Sequence, residues 1–229
     1  MSRRIAIVGA GGHGREILQL IRDINAALAP AAPTWDCAGF LVDAGFDAPP
    51  TIAGLPVLGD LAWLAANPDA AVVVAVGAPA ARKRLVRRIR ALGSTPCVKA
   101  FPVLVHPRAW IGAGVELGAG SVVCAGAMLT TDIRLGEHVH VNVGCTLAHD
   151  DVLEDFVTLA PGVHLAGNVL LGEGVELGIG STVIPRARVG AWSVVGAGAV
   201  VTANIDADCT AVGAPARPIK RRTAGWHES

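Results

Sequence analysis

The strongest constraint on the fold is a repeat of six residues in the second half of the chain. From Val105 to Val201 every sixth residue is aliphatic, and no insertion interrupts the run. The seventeen positions are Val105, Ile111, Leu117, Val123, Leu129, Leu135, Val141, Leu147, Leu153, Leu159, Leu165, Leu171, Leu177, Val183, Val189, Val195 and Val201. A period of six fits neither an α-helix nor a simple strand. It is typical of a solenoid in which each hexapeptide forms one short strand and one turn.

The hexapeptide also predicts where its other side chains lie. The aliphatic residue is expected to point inward and to stack on its equivalent in the next coil. The residue four positions later is small or β-branched in most hexapeptides, as at Val139 and Ser181, and is expected to share the interior. A glycine often follows the aliphatic residue directly, as at Gly112 and Gly172. These glycines are expected to supply turn conformations that are closed to bulky side chains.

This pattern resembles that of the hexapeptide-repeat proteins, which fold as left-handed parallel β-helices with three hexapeptides in each coil. The resemblance implies about six coils, which at ~4.8 Å per coil form a prism ~27 Å tall.

The first hundred residues have a different pattern, in which strand-like and helical segments alternate. The predicted strands are 4–8, 38–42, 71–76 and 95–101, and the predicted helices are 16–28, 60–66 and 80–92, with a turn-rich segment at 44–59. This order predicts a small Rossmann-like, doubly wound parallel sheet. We therefore expect an α/β domain at 1–103, an all-β solenoid at 104–211 and a C-terminal tail at 212–229.

Composition narrows the class of protein. Lys+Arg and Asp+Glu both number 19, so no net charge attracts nucleic acid or an anionic membrane. The longest dense apolar run, 70–76, is too short to span a bilayer, and no signal-peptide pattern opens the chain. The cysteines show no paired spacing and are expected to be small core residues in a reducing compartment; they are Cys37, Cys97, Cys124, Cys145 and Cys209. A cytoplasmic protein is expected, and 52% hydrophobic residues favour an oligomer that covers apolar surface.

A glycine-rich loop, Gly9-x-Gly-Gly-x-Gly14, lies between the first strand and the first helix. In this setting backbone N–H groups and a helix N-terminus can hold a diphosphate. Asp43, at the end of the second strand, can bind a ribose hydroxyl. The space before the solenoid suits one mononucleotide-binding half, which favours a nucleotide sugar over a dinucleotide. Alternatively, the glycines only permit a tight turn, and His13 either donates to a phosphate or caps that turn.

His149 and Asp150 follow the aliphatic residue Leu147 and fall in a turn, outside the predicted interior. A carboxylate beside an imidazole fixes its tautomer and stabilises the imidazolium, which makes a general base. Such a base can deprotonate an amine or hydroxyl that attacks a thioester. The alternative is an ordinary surface histidine.

Several motifs together resemble one family over nearly the whole chain. They are the run HDDVLEDFVTLAPGVHLAGN at 149–168, the glycine loop with His13, Val105-His-Pro107 and Val212-Gly-x-Pro-Ala216. The family comprises hexapeptide-repeat sugar O- and N-acetyltransferases, including UDP-4-amino-sugar N-acetyltransferases and sialic-acid O-acetyltransferases. The resemblance implies acetyl-CoA as donor, no metal, and a homotrimer with active sites between subunits. It implies acetylation of the C4 amino group of a nucleotide-linked amino deoxysugar for surface glycans, or alternatively O-acetylation of a sugar such as sialic acid.

The resemblance also implies roles for individual residues. His149 matches the catalytic base, Asp150 its acidic partner, and Gly167 a glycine whose backbone N–H meets the acetyl carbonyl. The spacing agrees, because Gly167 is eighteen residues, or one coil of three hexapeptides, after His149 and is expected one coil further along the same edge. The substrate-binding positions are Gly11, Gly12, His13, Asp43 and Asn142, and the CoA-binding positions are Thr158, Gly167, Gly213, Ala214 and Arg217.

Two positions depart from the pattern. Thr158 stands where some relatives carry a second histidine, and its hydroxyl can donate to a thioester carbonyl but cannot take up a proton. Asp151 stands where the repeat calls for a small inward residue, and a carboxylate there is costly unless it is paired.

The sequence also allows two other functions. One is a carbonic-anhydrase-like zinc site built from His138, His140, His149 and His164. Another is a scaffold that binds a nucleotide sugar without catalysis. The arginines at 82–90 are interpreted as a solvated helix face.

Overall fold

The computed structural model describes residues 3–27, 34–43, 45–92 and 101–228. The chain divides into two compact units, Met1–Gly77 with Ala81–Pro107 and Ala78–Ala80 with Arg108–Ser229. Cys97 and nearly all of the predicted strand at 95–101 lie outside the described residues, as does the last residue of the predicted helix at 16–28.

The first unit is a sheet with three helices. Its strands are β1 (Arg3–Val8), β2 (Trp35–Leu41), β3 (Thr51–Ile52), β4 (Leu55–Gly59) and β5 (Ala71–Val74), and its helices are α1 (Gly12–Ala27), α2 (Ala62–Ala66) and α3 (Pro79–Ala91). The strand order is β3-β4-β2-β1-β5. Ile17, Leu20 and Ile21 recur on one face of α1 and are buried, as expected of an amphipathic helix packed on a core.

Two features of this unit differ from the prediction. The turn-rich segment contains β3 and β4, and because β3 runs antiparallel to β4 the sheet is mixed rather than wholly parallel. The helix α1 begins at Gly12, inside the glycine loop, four residues earlier than predicted. The order still places β1 between β2 and β5, with all three parallel. Ligands of α/β sheets bind at the carboxyl ends of such strands.

The second half of the chain is the predicted left-handed parallel β-helix, with two-residue strands. They are β6 (Leu104–Val105), β7 (Trp110–Ile111), β8 (Glu116–Leu117), β9 (Val122–Val123), β10 (Met128–Leu129), β11 (Arg134–Leu135), β12 (His140–Val141), β13 (Thr146–Leu147), β14 (Val152–Leu153), β15 (Thr158–Leu159), β16 (His164–Leu165), β17 (Leu170–Leu171), β18 (Glu176–Leu177), β19 (Thr182–Val183), β20 (Arg188–Val189), β21 (Val194–Val195) and β22 (Val200–Val201). Every predicted aliphatic residue is the second residue of its strand.

The strands form the three faces of the prism. The first face contains β7, β10, β13, β16, β19 and β22, the second contains β8, β11, β14, β17 and β20, and the third runs from β9 through β12, β15, β18 and β21. The third face is extended by β23 (Cys209–Val212) and the antiparallel β24 (Arg217–Arg221), and a 3₁₀ turn follows at Trp226–Glu228. Strands pair with those one coil away, as Thr146 pairs with His164, so equivalent residues are eighteen positions apart.

The interior of the solenoid follows the predicted pattern. From Val123 onward, the fourteen repeated aliphatic residues are all at most 4% exposed. The first three, Val105, Ile111 and Leu117, are half-buried. The residues four positions later are also interior, because Val139, Val157 and Ser181 are fully buried.

The glycines have a different role from the one predicted. The left-handed turn conformation falls three positions after the aliphatic residue, where φ is 54–74° in fifteen successive hexapeptides. Glycine fills that position at Gly114 and Gly162, whereas Asp150 and Asn168 fill it elsewhere. The glycines directly after the aliphatic residue are required by close packing of coils. A Cβ on Gly172, for example, would lie 2.6 Å from the Ala191 backbone nitrogen of the next coil.

The described cysteines are the predicted core residues, because Cys145 and Cys209 are fully buried and Cys37, Cys124, Cys145 and Cys209 are free thiols. Burial raises the pKa of Cys145 to about 11, which keeps this thiol protonated. Within the described ranges, no helix is both long and apolar enough to cross a membrane.

Candidate active site

His149 and Asp150 lie in the turn after β13, at the edge between the first and second faces of the solenoid. Asp150 has φ 61°, the left-handed conformation of this turn. The His149 Nδ1 and an Asp150 carboxylate oxygen are 2.7 Å apart. Because a carboxylate only accepts, Nδ1 carries the hydrogen, and the tautomer assigned in this way leaves an electron pair on Nε2. The His149 side chain is 61% exposed, so the imidazole is accessible from solvent.

Gly167 occupies the same edge one coil further along the axis. A Cβ on Gly167 would lie 2.6 Å from His149 Nε2 and 2.7 Å from Cε1, so the imidazole rests directly on this glycine. The next residue, Asn168, donates its backbone N–H to the His149 carbonyl at 2.9 Å. Among the residues that the structure describes, none accepts a hydrogen bond from the Gly167 N–H. A general base and an unused N–H donor therefore lie together, as acyl transfer requires.

Asp151 follows this pair and lies inside the coil. It is 0% exposed, and its Oδ1 accepts a hydrogen bond from the Val169 N–H at 2.8 Å. Its Oδ2 has no hydrogen-bond partner within the described part of the chain. Burial raises the pKa of Asp151 to about 7, against the lowering effects of the backbone N–H groups of Val169 and Ala148 and of the nearby His149.

The remaining predicted solenoid residues lie elsewhere in the chain. Asn142 is in the turn before β13, at the edge between the third and first faces, and its side-chain amide donates to the Leu159 carbonyl at 2.6 Å. Thr158 is a buried residue of β15 on the third face. A single chain therefore does not bring Asn142 or Thr158 to the edge that carries His149.

The C-terminal segment lies on the same edge as Asn142. Gly213 has φ 90° and accepts a hydrogen bond from Val200 on the first face. Ala214 precedes a cis peptide bond to Pro215, and Arg217 begins β24 and donates to the Ala216 carbonyl. The segment is thus at the end of the prism, four coils beyond Asn142.

A cleft of about 660 Å³ lies within the first unit at the carboxyl ends of β1, β2 and β5. This volume is typical of small-molecule sites. All four predicted nucleotide-binding residues line it, namely Gly11, Gly12, His13 and Asp43. His13 lies in the first turn of α1, where its Nδ1 is 3.0 Å from a Glu16 carboxylate oxygen.

The four glycines of the loop fall into two pairs. Gly9 and Gly14 are required by the fold, because a Cβ on Gly9 would lie 2.7 Å from the Ala75 carbonyl and one on Gly14 would collide with Gly9. Gly11 and Gly12 face the cleft. No heavy atom of the described residues lies within 4 Å of a Cβ on Gly11, and only Arg15, at 3.9 Å, approaches one on Gly12. The second pair therefore leaves room for a ligand beside backbone N–H groups at a helix N-terminus.

Two further residues of the cleft, Arg88 and Phe46, were not predicted from the sequence. Arg88 donates from its two terminal guanidinium nitrogens to the two Asp43 carboxylate oxygens, and this pairing raises the pKa of Arg88. Phe46 is 74% exposed at the cleft although it is a large apolar side chain. The interpretation of the arginines at 82–90 as a solvated face was wrong in part. Arg82 is fully buried and donates to the Val76 and Gly77 carbonyls, while Arg84 and Arg88 line the cleft.

The candidate zinc histidines lie on different parts of the solenoid. His140 is on the third face, His149 is at an edge, and His164 is on the first face with its Nδ1 2.8 Å from Thr146 Oγ1. His138 stacks on Phe156 with ring centroids 5.4 Å apart. In the described residues, no group of three or more His, Cys, Asp or Glu side chains is placed to hold a metal ion.

The solenoid with its histidine–carboxylate edge and the α/β unit with its glycine cleft together define a class, the hexapeptide-repeat acyltransferases that carry an N-terminal α/β unit. Comparison with known proteins narrows this class. Residues 4–89 match the PglD N-terminal domain. The acetyltransferase domain of PglB from Neisseria gonorrhoeae FA1090 is 34% identical, with 95% of this chain and 100% of that chain aligned and a TM-score of 0.82.

Two further relatives are perosamine enzymes. PerB from Caulobacter crescentus, solved in complex with CoA and GDP-perosamine, is 30% identical over 94% of this chain and 97% of that chain, with a TM-score of 0.81. GDP-perosamine N-acetyltransferase from Escherichia coli O157:H7 is 28% identical over 65% of this chain and 67% of its own length. The chain belongs to the PglD-like family of hexapeptide-repeat sugar N-acetyltransferases. The predicted family, fold class, enzyme class and acetyl donor are thereby confirmed.

Proposed function

We propose that the chain transfers the acetyl group of acetyl-CoA to the C4 amino group of a nucleotide-linked amino deoxysugar used in surface-glycan synthesis. The observation that carries the proposal is the His149–Asp150 pair with Gly167 packed against the free edge of the imidazole. The complexes and names of the relatives support an amino sugar attached to a nucleotide, because PerB was solved with CoA and GDP-perosamine.

The residues at this edge can carry out each step of the transfer. His149 Nε2 takes the proton of the amine as its nitrogen attacks the thioester carbon. The Gly167 N–H donates to the oxyanion that forms on the acetyl oxygen. Asp150 stabilises the imidazolium through Nδ1. The carbon–sulfur bond then breaks, and the His149 imidazolium returns the proton to the CoA thiolate. The products are the N-acetylated sugar and free CoA.

The cleft of the first unit suits the nucleotide of the acceptor. Gly11 and Gly12 leave space beside backbone N–H groups for a diphosphate, and His13 can donate to it. The Asp43–Arg88 pair and Phe46 provide acceptors, donors and an aromatic face for a nucleoside. Base–aromatic stacking contributes ~1–3 kcal/mol per base, so Phe46 is the residue that we expect to contact the nucleobase.

A second copy of the chain completes the site in this proposal. Asn142 and the Gly213–Arg217 segment lie on one edge of the prism and His149 on another, so these groups meet only if neighbouring prisms pack edge to edge. Exposed apolar residues support such packing: Trp110 and Met128 on the first face are 53% and 48% exposed, and Val143 and Ile179 on the edge that carries Asn142 are 49% and 61% exposed. We therefore propose a homotrimer with acetyl-CoA between subunits, running ~19 Å along the axis from Asn142 to Gly213.

Mixing of two inactive variants tests this arrangement. His149→Ala and Asn142→Ala damage different edges, so a shared site made from one copy of each can be intact. In trimers formed at random from equal amounts, about one quarter of the sites combine an intact His149 with an intact Asn142. Recovery of about that fraction of wild-type activity supports sites between subunits. No recovery in verified mixed trimers contradicts them.

The activity itself is tested with a panel of UDP- and GDP-linked amino sugars and acetyl-CoA, with the products identified by mass spectrometry. Loss of a general base typically costs ~10²–10⁴-fold, so His149→Ala should lower kcat by that order while both substrates still bind. The neighbouring exposed His164→Ala is the matched control and should leave kcat unchanged. Acetylation of a hydroxyl would favour the O-acetyltransferase alternative, and binding without product would favour a scaffold.

The proposal also includes the compartment in which the reaction takes place. We place the reaction in the cytoplasm, because the four described cysteines are free thiols, as is usual in a reducing compartment.

A further inference from the structure

Asp151 occupies an unusual place in the repeat. It is the residue four positions after the aliphatic Leu147, and this position is interior and apolar in most coils, as at Val139 and Val163. A carboxyl group with no solvent contact is costly unless it gains hydrogen bonds. Its Oδ1 makes one, to the backbone N–H of Val169 at 2.8 Å. Val169 is the equivalent residue of the next coil, eighteen positions later.

Three serines occupy this position in other coils, and two of them bond to the next coil. Ser181 does not: its Oγ has no partner among the described residues, and the Ala199 N–H of the next coil bonds within its own turn at 3.2 Å. Ser121 Oγ accepts from the Val139 N–H and Ser193 Oγ accepts from the Cys209 N–H, each at 3.0 Å and each from the next coil. In other coils this N–H bonds to a carbonyl of its own turn, as Cys145 does at 3.4 Å and Ala127 at 3.3 Å. The side chain thus replaces a long bond within a turn by a shorter bond between coils.

At Asp151 this bond between coils is next to the reacting groups. The turn that Val169 ends also contains Gly167, which touches the His149 ring, and Asn168, which donates to the His149 carbonyl at 2.9 Å. The turn of residues 149–151 therefore holds the turn of residues 167–169 at two points, Asn168 and Val169. Gly167 directly precedes the first of these points and is two residues before the second.

We infer that Asp151 is a positioning residue whose buried carboxyl group anchors the Val169 N–H and so fixes the Gly167 N–H relative to the His149 imidazole. The inference rests on the proposed function, in which the Gly167 N–H donates to the oxyanion. The anchor requires only an acceptor oxygen, and burial in an apolar coil, with Oδ2 unpartnered among the described residues, opposes ionisation of the carboxyl group.

Three variants test this role. Asp151→Ala removes the bond, and the interior accepts alanine at the equivalent position 127. Asp151→Ser installs the residue that forms the bond in two other coils and should restore it. Ser121→Ala is the matched control, because it removes the same bond in a coil away from the site.

The first measurement is amide hydrogen exchange at Val169, which does not depend on catalysis. Exchange should be faster in Asp151→Ala than in the wild type and slow again in Asp151→Ser. Unchanged exchange in Asp151→Ala overturns the anchoring bond.

The second measurement is steady-state kinetics. Asp151→Ala should lower kcat by about 10- to 100-fold, less than the ~10²–10³-fold cost of losing an oxyanion donor outright, with both KM values near wild type. Asp151→Ser and Ser121→Ala should stay within about threefold of wild-type kcat. An equal loss in Ser121→Ala, or none in Asp151→Ala, overturns the positioning role. Absence of transferase activity in the wild-type protein overturns the proposed function. The hydrogen-exchange measurement tests the bond between Asp151 and the Val169 N–H independently of that activity.

Discussion

Gly167→Ala tests whether the exact place of the His149 imidazole limits the reaction. The new Cβ would lie 2.6 Å from Nε2 and 2.7 Å from Cε1 of His149. The backbone at Gly167 has no left-handed φ, so alanine is not strained by its own conformation. The conflict is therefore with the end of one side chain, and the 61% exposed imidazole can move outward to relieve it. We expect the variant to fold, with a Tm close to that of the wild type.

The size of the effect follows from the distance. The van der Waals contact distance between carbon and nitrogen is about 3.5 Å, so Nε2 must move by about 1 Å. Misplacement of a reacting group by ~1 Å can cost ~10²-fold in rate. Gly167→Ala should thus lower kcat by about 100-fold in the acetylation assay, while the KM values for both substrates change little, since no residue that holds them has moved.

Gly172→Ala serves as the control for this substitution. Its Cβ would also lie 2.6 Å from a nitrogen, but this is the backbone nitrogen of Ala191 in the next coil, which cannot swing away. The control should lower Tm and leave the kcat of the folded fraction near wild type. A kcat for Gly167→Ala within about threefold of wild type, in a protein of normal stability, would refute the argument that base and glycine act in contact.

Three further predictions concern the cleft and the buried carboxyl group. Gly12→Val should raise the KM for the nucleotide sugar without changing Tm, because the valine side chain enters the ligand space. Gly14→Ala should instead lower Tm, because its Cβ collides with Gly9. A lower Tm in Gly12→Val would contradict the assignment of Gly12 to the ligand site. Phe46→Ala should weaken nucleotide binding about tenfold in calorimetry through loss of stacking, and unchanged affinity would exclude that contact. Because burial raises the pKa of Asp151 from 3.8 to about 7, the folded state holds this proton more tightly than the unfolded state. The contribution of Asp151 to the free energy of unfolding therefore falls as the pH rises from 3.8 to about 7 and is constant above that range. The Tm of Asp151→Asn, measured over the same pH range, should lack this decrease. The same dependence of Tm on pH in the variant and the wild type would refute the prediction.

The solenoid was predictable because its register is exact. A six-residue period with no insertion fixes which side chains are interior and which residues are eighteen positions apart. From that spacing alone the sequence predicts Gly167 beside His149, and the geometry of the two residues agrees. The role of the glycines could not be predicted, because coil-to-coil contacts decide it: Gly172 is limited by the Ala191 backbone and not by its own φ.

The cleft was less predictable because it is built from loops and from a pair of distant residues. The glycine motif indicated its location, but Arg88 reaches Asp43 across forty-five positions, and no local pattern shows this. Arg82 looked like its solvated neighbours because its burial depends on two carbonyls that follow β5. The short strands β3 and β4 were missed because β3 has only two residues and pairs with β4, and β4 joins the sheet through β2, which lies earlier in the sequence.

The cleft of the first unit and the His149 edge of the solenoid meet different physical requirements. Acyl transfer needs a base and an oxyanion donor at a fixed separation, and a rigid stack of coils provides it because successive turns repeat at a constant spacing. Recognition of a nucleotide instead needs a concave surface with varied donors and acceptors, which loops at the carboxyl ends of parallel strands can supply. Changes in the cleft can therefore alter which nucleotide sugar binds without disturbing the His149–Gly167 contact. Selectivity for the acceptor should accordingly depend on residues such as Phe46 and Arg88, and the chemical step on the register of the solenoid.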